Sequence, residues 1–216
     1  MTQFQIRQCT QESCRFRFPV TPLDQGGQRC PACGAEVQVV IDQAATLEST
    51  AAFRSSPATA LAVLVDNVRS TFNVGSIFRT ADGVGVQQLY LCGITPTPQH
   101  PKLGKTALGA EQSVAWSHYK NAVDLAYTLQ AAGATLVALE DSPTATSLFS
   151  ANLVVAAGPV VLIVGNEVTG VDPGLLVLCD RVLAIPMAGV KRSLNVATAF
   201  GIAVYEIKRQ VENTPP

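Results

Sequence analysis

The sequence lacks an excess of charge of either sign, a long apolar run, a secretory leader and the two common nucleotide fingerprints, and each absence removes a class of function. Charged residues make up 14% of the 216, with 15 basic against 16 acidic. That excludes a strongly basic nucleic-acid coat, whose affinity comes from neutralising phosphates, but leaves a local basic site open. No stretch approaches the roughly 18–20 uncharged apolar residues of a membrane span. The opening Met-Thr-Gln-Phe-Gln-Ile-Arg has no basic-then-apolar layout. A soluble cytoplasmic protein with no membrane partner is the expectation. Neither G-x-G-x-x-G after a strand nor G-x-x-x-x-G-K-[ST] occurs, which argues against dinucleotide and P-loop sites. The two histidines, His100 and His118, lie outside every motif and carry no assigned chemistry.

What is present divides the chain in two near residue 42. Hydrophobic residues reach 48%, ample for a buried core. Residues 1–42 hold four of the six cysteines and little helical periodicity. Residues 43–59, small and polar with Pro57 near the end, read as a linker, and 60–216 as the main domain. There, apolar runs Leu61–Val65, Gln88–Leu91, Thr135–Leu139, Val160–Val164 and Val182–Ile185 read as parallel strands buried on both faces. Helices are expected over Asn73–Val84, Asn121–Ala132, Asp172–Leu178 and Asn195–Val211, the last with apolar residues at helical spacing from Val196 to Val211. Strands alternating with helices predict an α/β domain with a mostly parallel sheet and helices on both faces.

Cys9 and Cys14 are separated by four residues and Cys30 and Cys33 by two, with fifteen between the pairs. Zn²⁺ takes four soft ligands in a tetrahedron, and two cysteines on one tight turn supply half of them. Pro31 presets one dihedral of the second turn and Gly34 allows a positive one. So polar a segment could hardly build a core for four plain thiols, which favours structural zinc in a ribbon-like module. Cys92 and Cys179, among apolar residues, read as core. Phe16 and Phe18 alternate with Arg15 and Arg17, compatible with bases stacked on the rings or with a strand burying one face.

Three glycine-punctuated stretches lie at carboxyl ends of predicted strands, where open α/β sheets place ligands. They are Asn73-Val-Gly-Ser-Ile-Phe-Arg79-Thr-Ala-Asp82, Val164-Gly165-Asn166-Glu167-Val-Thr-Gly170-Val171, and Ile185-Pro186-Met187-Ala188-Gly189-Val-Lys-Arg-Ser193-Leu194-Asn195. Arg69, Arg79, Lys102, Lys105, Lys191 and Arg192 fall in or near them, as a phosphate-binding rim would require. In order and spacing the three resemble the motifs of the SpoU/TrmH family of RNA 2′-O-ribose methyltransferases, over about residues 58–212.

The resemblance implies a deep C-terminal trefoil knot, a homodimer with active sites near the subunit interface, S-adenosylmethionine as methyl donor and tRNA or rRNA as acceptor. Small residues on the last helix, Ala197, Ala199, Gly201 and Ala203, would allow close packing there. By motif match, Gly165, Ile185 and Leu194 should line the cofactor pocket with Met187 close by. Gly109 and Ala110 resemble a loop that closes on the cofactor. Arg79 would sit beside the target ribose, where a guanidinium of pKa about 12 or more is a poor base and a better grip on phosphate. Its alternative is a surface pair with Asp82. Asn73 has substrate contact or N-capping open to it, and Glu167 a hold on Arg79 or on loop amides. Ser193 and Asn195 have phosphate binding or capping. A non-catalytic RNA-binding scaffold and a base methylase are the competing functions.

Overall fold

The computed structural model describes residues 2–21, 27–45, 60–153 and 158–212, in two compact units, Met1–Ser55 and Ser56–Pro216. In the first, β1 (Thr2–Cys9), β2 (Arg17–Val20) and β3 (Val37–Ala45) form an antiparallel sheet in the order β2-β1-β3. β3 therefore continues three residues past 42, into the stretch read as linker, and residues 46–59 lie outside the described residues. The alternation at 15–18 ends in strand β2, but the aromatic face is not buried. Phe16 is 44% exposed, its ring 6.1 Å from that of Phe18.

The second unit is built on a seven-stranded sheet in the order β6-β5-β4-β9-β7-β10-β8, with every recorded pairing parallel. Its strands are β4 (Leu61–Asp66), β5 (Gln88–Cys92), β6 (Ala115–Tyr119), β7 (Thr135–Leu139), β8 (Thr146–Ser147), β9 (Val160–Val164) and β10 (Arg181–Ala184). The longer helices are α1 (Thr71–Val84), α4 (Ala122–Ala131), α5 (Pro173–Leu178) and α6 (Val196–Glu212). Between β5 and β6 run two short ones, α2 (Gly104–Ala107) and α3 (Ala110–Ser113). All five apolar runs are strands and all four periodic stretches are helices, with ends moved by one or two residues. Strand β6, which no apolar run announced, is an edge strand with three of its five residues exposed.

Alternation along β4 sends its side chains to opposite faces and so divides the core in two. Val63 and Val65 pack with Phe78 of α1 and Phe200 of α6, while Ala62 and Leu64 pack with Leu125 of α4 and Leu175 of α5. The helices thus cover both faces, which is why β4 and β9 are buried end to end. Ala203 of α6 belongs to the first of these clusters, so it packs within its own chain rather than at a surface. Two late strands are inserted into the sheet: β9 lies between β4 and β7, and β10 between the consecutive strands β7 and β8.

Candidate active site

A cavity of about 300 Å³ opens where β7, β9 and β10 end, lined by Leu139, Val164 and Ala184 and by the loops that follow. The loop after β9 closes on itself. Asn166 and Gly170 exchange backbone hydrogen bonds of 3.0 Å each way, and Asn166 Oδ1 accepts from the amides of Val168 and Thr169. A side chain at Gly165 would run into the backbone of Gly170 and Val171, so glycine is required there by the hairpin itself. Asn166 Nδ2 then donates to the carbonyl of Asn67 at 2.7 Å, tying this loop to the end of β4.

The three motifs converge through one chain of side-chain hydrogen bonds. Glu167 Oε2 accepts from the amide of Arg69 and Oε1 from that of Ser70, both at 3.0 Å. Oε1 also accepts from Asn73 Nδ2 at 3.0 Å, and Asn73 Oδ1 accepts from Asn195 Nδ2 at 3.0 Å. Asn195 Oδ1 in turn caps α6, accepting from the amides of Ala197 and Thr198. Burial works to raise the Glu167 carboxyl, but the amides of Arg69 and Ser70 and the Asn73 side chain outweigh it and hold it below its ordinary value.

Of the residues expected to hold a cofactor, Gly165, Ile185, Met187 and Leu194 line the cavity. Met187 and Leu194 do so while 38% and 37% exposed, which leaves part of each apolar side chain open to contact. Gly109 and Ala110 do not line it; Gly109 precedes α3 and Ala110 is buried in the core. Glu167, Ser193 and Asn195 are on the cavity wall, and Asn73 reaches it through its hydrogen bonds.

Three expectations need correction. Asn73 does not open its helix: Ser70 is the N-cap, its side chain accepting from the Asn73 amide. Glu167 anchors loop amides and does not hold Arg79. Arg79 is exposed on α1, outside the cavity lining, and its guanidinium makes no hydrogen bond or ion pair among the described residues. Its surface pair with Asp82 is not formed either, since Asp82 accepts from Ser113 Oγ at 2.7 Å.

Three carboxylates escaped the sequence reading. Asp66 ends β4 at 2% exposure, accepting from Asn67 Nδ2 and from the Asp172 amide, and its burial together with the Asp172 charge pushes its carboxyl up. Glu140 and Asp141 follow β7 and line the cavity. Their one signal was position, immediately after a mostly apolar predicted strand.

In the first unit the Sγ atoms of Cys9, Cys14, Cys30 and Cys33 all lie within 4.8 Å of one another, with Cys9–Cys33 at 3.6 Å and Cys14–Cys30 at 3.8 Å. Four sulfurs about 2.3 Å from one zinc stand about 3.8 Å apart, so the set fits that ion. Arg15 and Gly34, each following the second cysteine of its pair, share positive φ angles of 48° and 74°, so the turns match despite their unequal lengths. Burial tends to raise the Cys30 thiol, but hydrogen bonds from the amides of Ala32 and Cys33 bring it down to about 7. In the second unit, burial pushes the core thiol Cys92 and the half-buried Cys179 up to about 12.

The model of a family described as the SpoU rRNA Methylase family matches residues 60–205. The chain is 36% identical over 152 residues to a tRNA (guanosine(18)-2′-O)-methyltransferase of Aquifex aeolicus, covering 70% of each chain. It is 32% identical over 152 residues to a 23S rRNA (guanosine-2′-O-)-methyltransferase of Vibrio parahaemolyticus, covering 70% of this chain and 60% of that one. A solved rRNA methyltransferase of Sinorhizobium meliloti with S-adenosylmethionine bound superposes with a TM-score of 0.65 at 30% identity, over 72% of this chain and 61% of that one. Relatives are therefore spanned over about three fifths to seven tenths of their own length.

Proposed function

The chain belongs to the SpoU rRNA Methylase family, and we propose that it transfers a methyl group from S-adenosylmethionine to a ribose 2′-hydroxyl of tRNA or rRNA. The observation that carries this reading is the single hydrogen-bond chain from Arg69 and Ser70 through Glu167, Asn73 and Asn195, which draws all three motifs to one cavity. When bound, the cofactor supplies an electrophilic methyl on a sulfonium. Gly165, Ile185, Met187 and Leu194 hold it, largely by backbone and apolar contact.

The roles of Glu167, Asn73 and Asn195 follow from their bonding: with their polar atoms engaged to one another, they set the relative positions of the loops. Ser193 Oγ, on the cavity wall and without a partner among the described residues, is left to meet the acceptor. Arg79, exposed and unpaired, is the guanidinium available to grip the RNA phosphate and orient the hydroxyl for in-line attack.

Cys9, Cys14, Cys30 and Cys33 hold a structural zinc, a role supported by their spacing and by their place in a different compact unit from the cavity. The chain from residue 60 on acts as the catalytic domain, and the first unit, whose sheet runs to Ala45, as the zinc module. The insertion of β10 between consecutive strands supports reading the C-terminal segment as threaded into a trefoil knot. Phe72 on α1 and Tyr205 on α6, 58% and 55% exposed on helices packed together, favour a homodimer formed there. Among the described residues no helix is long and apolar enough to cross a membrane, and cytoplasmic action is part of this proposal.

The test is methyl transfer from radiolabelled S-adenosylmethionine to unmodified tRNA and rRNA, followed by nuclease digestion. A labelled 2′-O-methyl nucleoside is the expected product. Label on a base, or no label on either RNA with the cofactor bound, overturns the reading.

A further inference from the structure

We propose that the cavity is charged to hold the cationic methyl donor more tightly than the uncharged thioether left after transfer, and that Glu140 and Asp141 are the carboxylates that make the difference. This rests on the cofactor reading above and goes beyond it by assigning discrimination between cofactor and spent product to two residues outside the three motifs.

Among the cavity walls stand three carboxylates, Glu140, Asp141 and Glu167, against one cation, Arg192. Among the described residues none of the three forms an ion pair with a Lys or Arg within 4.0 Å, and three carboxylates against Arg192 leave the wall an excess of negative charge. Glu167 is committed to the loop amides and the Asn73 side chain. Glu140 is fixed by its own backbone, whose amide donates to the Leu183 carbonyl at 2.9 Å, just beyond the point where β7 pairs with β10. Its Oε2 accepts from the Val171 amide at 2.9 Å, and its carboxylate fills the space where a side chain at Gly170 would stand. Oε1 has no partner among the described residues. Asp141 is exposed and likewise unpartnered among them. Two carboxylates therefore face the cavity at the carboxyl end of a buried parallel strand with acceptor capacity unspent.

The ligand's charge changes in the reaction. S-adenosylmethionine carries a sulfonium, an ammonium and a carboxylate, a net charge of plus one. Transfer breaks the sulfonium carbon–sulfur bond and leaves a neutral sulfur, so S-adenosylhomocysteine is net neutral, while the 2′-hydroxyl proton leaves to solvent. A wall with an excess of negative charge in a cavity of reduced dielectric favours the first over the second. The product is thereby released rather than retained, and S-adenosylhomocysteine becomes a weak inhibitor.

Calorimetry on the full chain with S-adenosylmethionine, S-adenosylhomocysteine and sinefungin separates charge from shape, because sinefungin carries an ammonium in place of the sulfonium. Wild type is expected to bind the two charged ligands on the order of tenfold more tightly than S-adenosylhomocysteine, a margin of about 1.4 kcal/mol. Glu140→Gln, which keeps an acceptor for the Val171 amide, and Asp141→Asn should each cut that ratio by roughly threefold to fivefold, leaving S-adenosylhomocysteine within about twofold to threefold. An unchanged ratio in the double variant overturns the proposal. So does an equal loss for all three ligands, which would make these residues braces and not charge selectors. Failure of wild type to bind any of the three overturns the cofactor reading itself, a separately recognisable result.

Discussion

The two compact units solve the problem of staying folded in opposite ways. In Met1–Ser55 the buried apolar residues among those described are Cys9, Val20 and Cys30, two of them thiols, while Val39, Phe16, Val40 and Ile41 are left 37–47% exposed on or beside the sheet. In Ser56–Pro216 two separate apolar clusters bury whole strands, with Phe78 and Phe200 at 0% exposure. A unit that small cannot offset chain entropy by burial alone. Its four sulfurs are spaced for one ion, and the zinc proposed there would supply the remaining stability, whereas the second unit has its core.

The sharpest way to break this comparison is to take the proposed zinc away. Elemental analysis is expected to give one zinc per chain. Chelation, or Cys30→Ser, should unfold β1–β3, since a structural zinc contributes on the order of 10 kcal/mol at neutral pH. Hydrogen exchange would then show lost protection in residues 2–21 and 27–45 with β4 and β9 unchanged and S-adenosylmethionine still bound. A module that keeps its protection without metal would mean that its exposed sheet suffices. The reverse experiment is Phe200→Ala. Removing this ring from the first core cluster should cost about 3–5 kcal/mol, read as a lower denaturant midpoint for the second unit with zinc still retained.

Arg79→Ala sharpens the contrast in function instead of stability. The residue is exposed and unpaired, so the melting temperature should move little. Methyl transfer should fall at least about a hundredfold, roughly 2.7 kcal/mol of barrier, with the dissociation constant for S-adenosylmethionine unchanged. Near-wild-type turnover would remove Arg79 from the mechanism.

Most of the framework was legible because burial writes itself into composition. Runs such as Val160–Val164 must be strands covered on both faces, and Val196 to Val211 repeats at helical spacing. Strand β6 was not legible: Ala-Trp-Ser-His-Tyr is an edge with one side open, so nothing forces it to be apolar. The start of α1 was misread for a related reason. Ser70 and Asn73 are both good caps, and only the path of the chain out of β4 decides that Ser70 accepts the amide. In the site, glycines and polar residues marked the loops but not their partners. That Glu167 binds Asn73, 94 positions away, is a consequence of inserting β9 beside β4, which no local pattern encodes. The position of β10 between β7 and β8 was invisible to residue patterns for the same reason; the family resemblance alone implied a threaded chain.

The smallest effect tests that long-range link. Glu167→Gln is nearly isosteric, but it replaces one acceptor oxygen by an NH₂ group. The wild-type carboxylate accepts from the Arg69 amide through Oε2 and from the Ser70 amide and Asn73 Nδ2 through Oε1, so the amide variant must set a donor against a donor on one side. Protection of the Arg69 or Ser70 amide should fall several-fold, and transfer by about tenfold, as the first motif loosens from the other two. Acid should reproduce the change in wild type. The carboxyl titrates below its ordinary value of 4.5 in the folded chain, so its contribution is complete above that value and lost as pH falls through the lower folded one. Because Glu167 is exposed, the gain is modest and salt weakens it. Amide protection at 69 and 70 that depends on pH between about 5 and 3 in wild type, but not in Glu167→Gln, identifies the carboxylate as the link. Equal pH dependence in both proteins would place the link elsewhere.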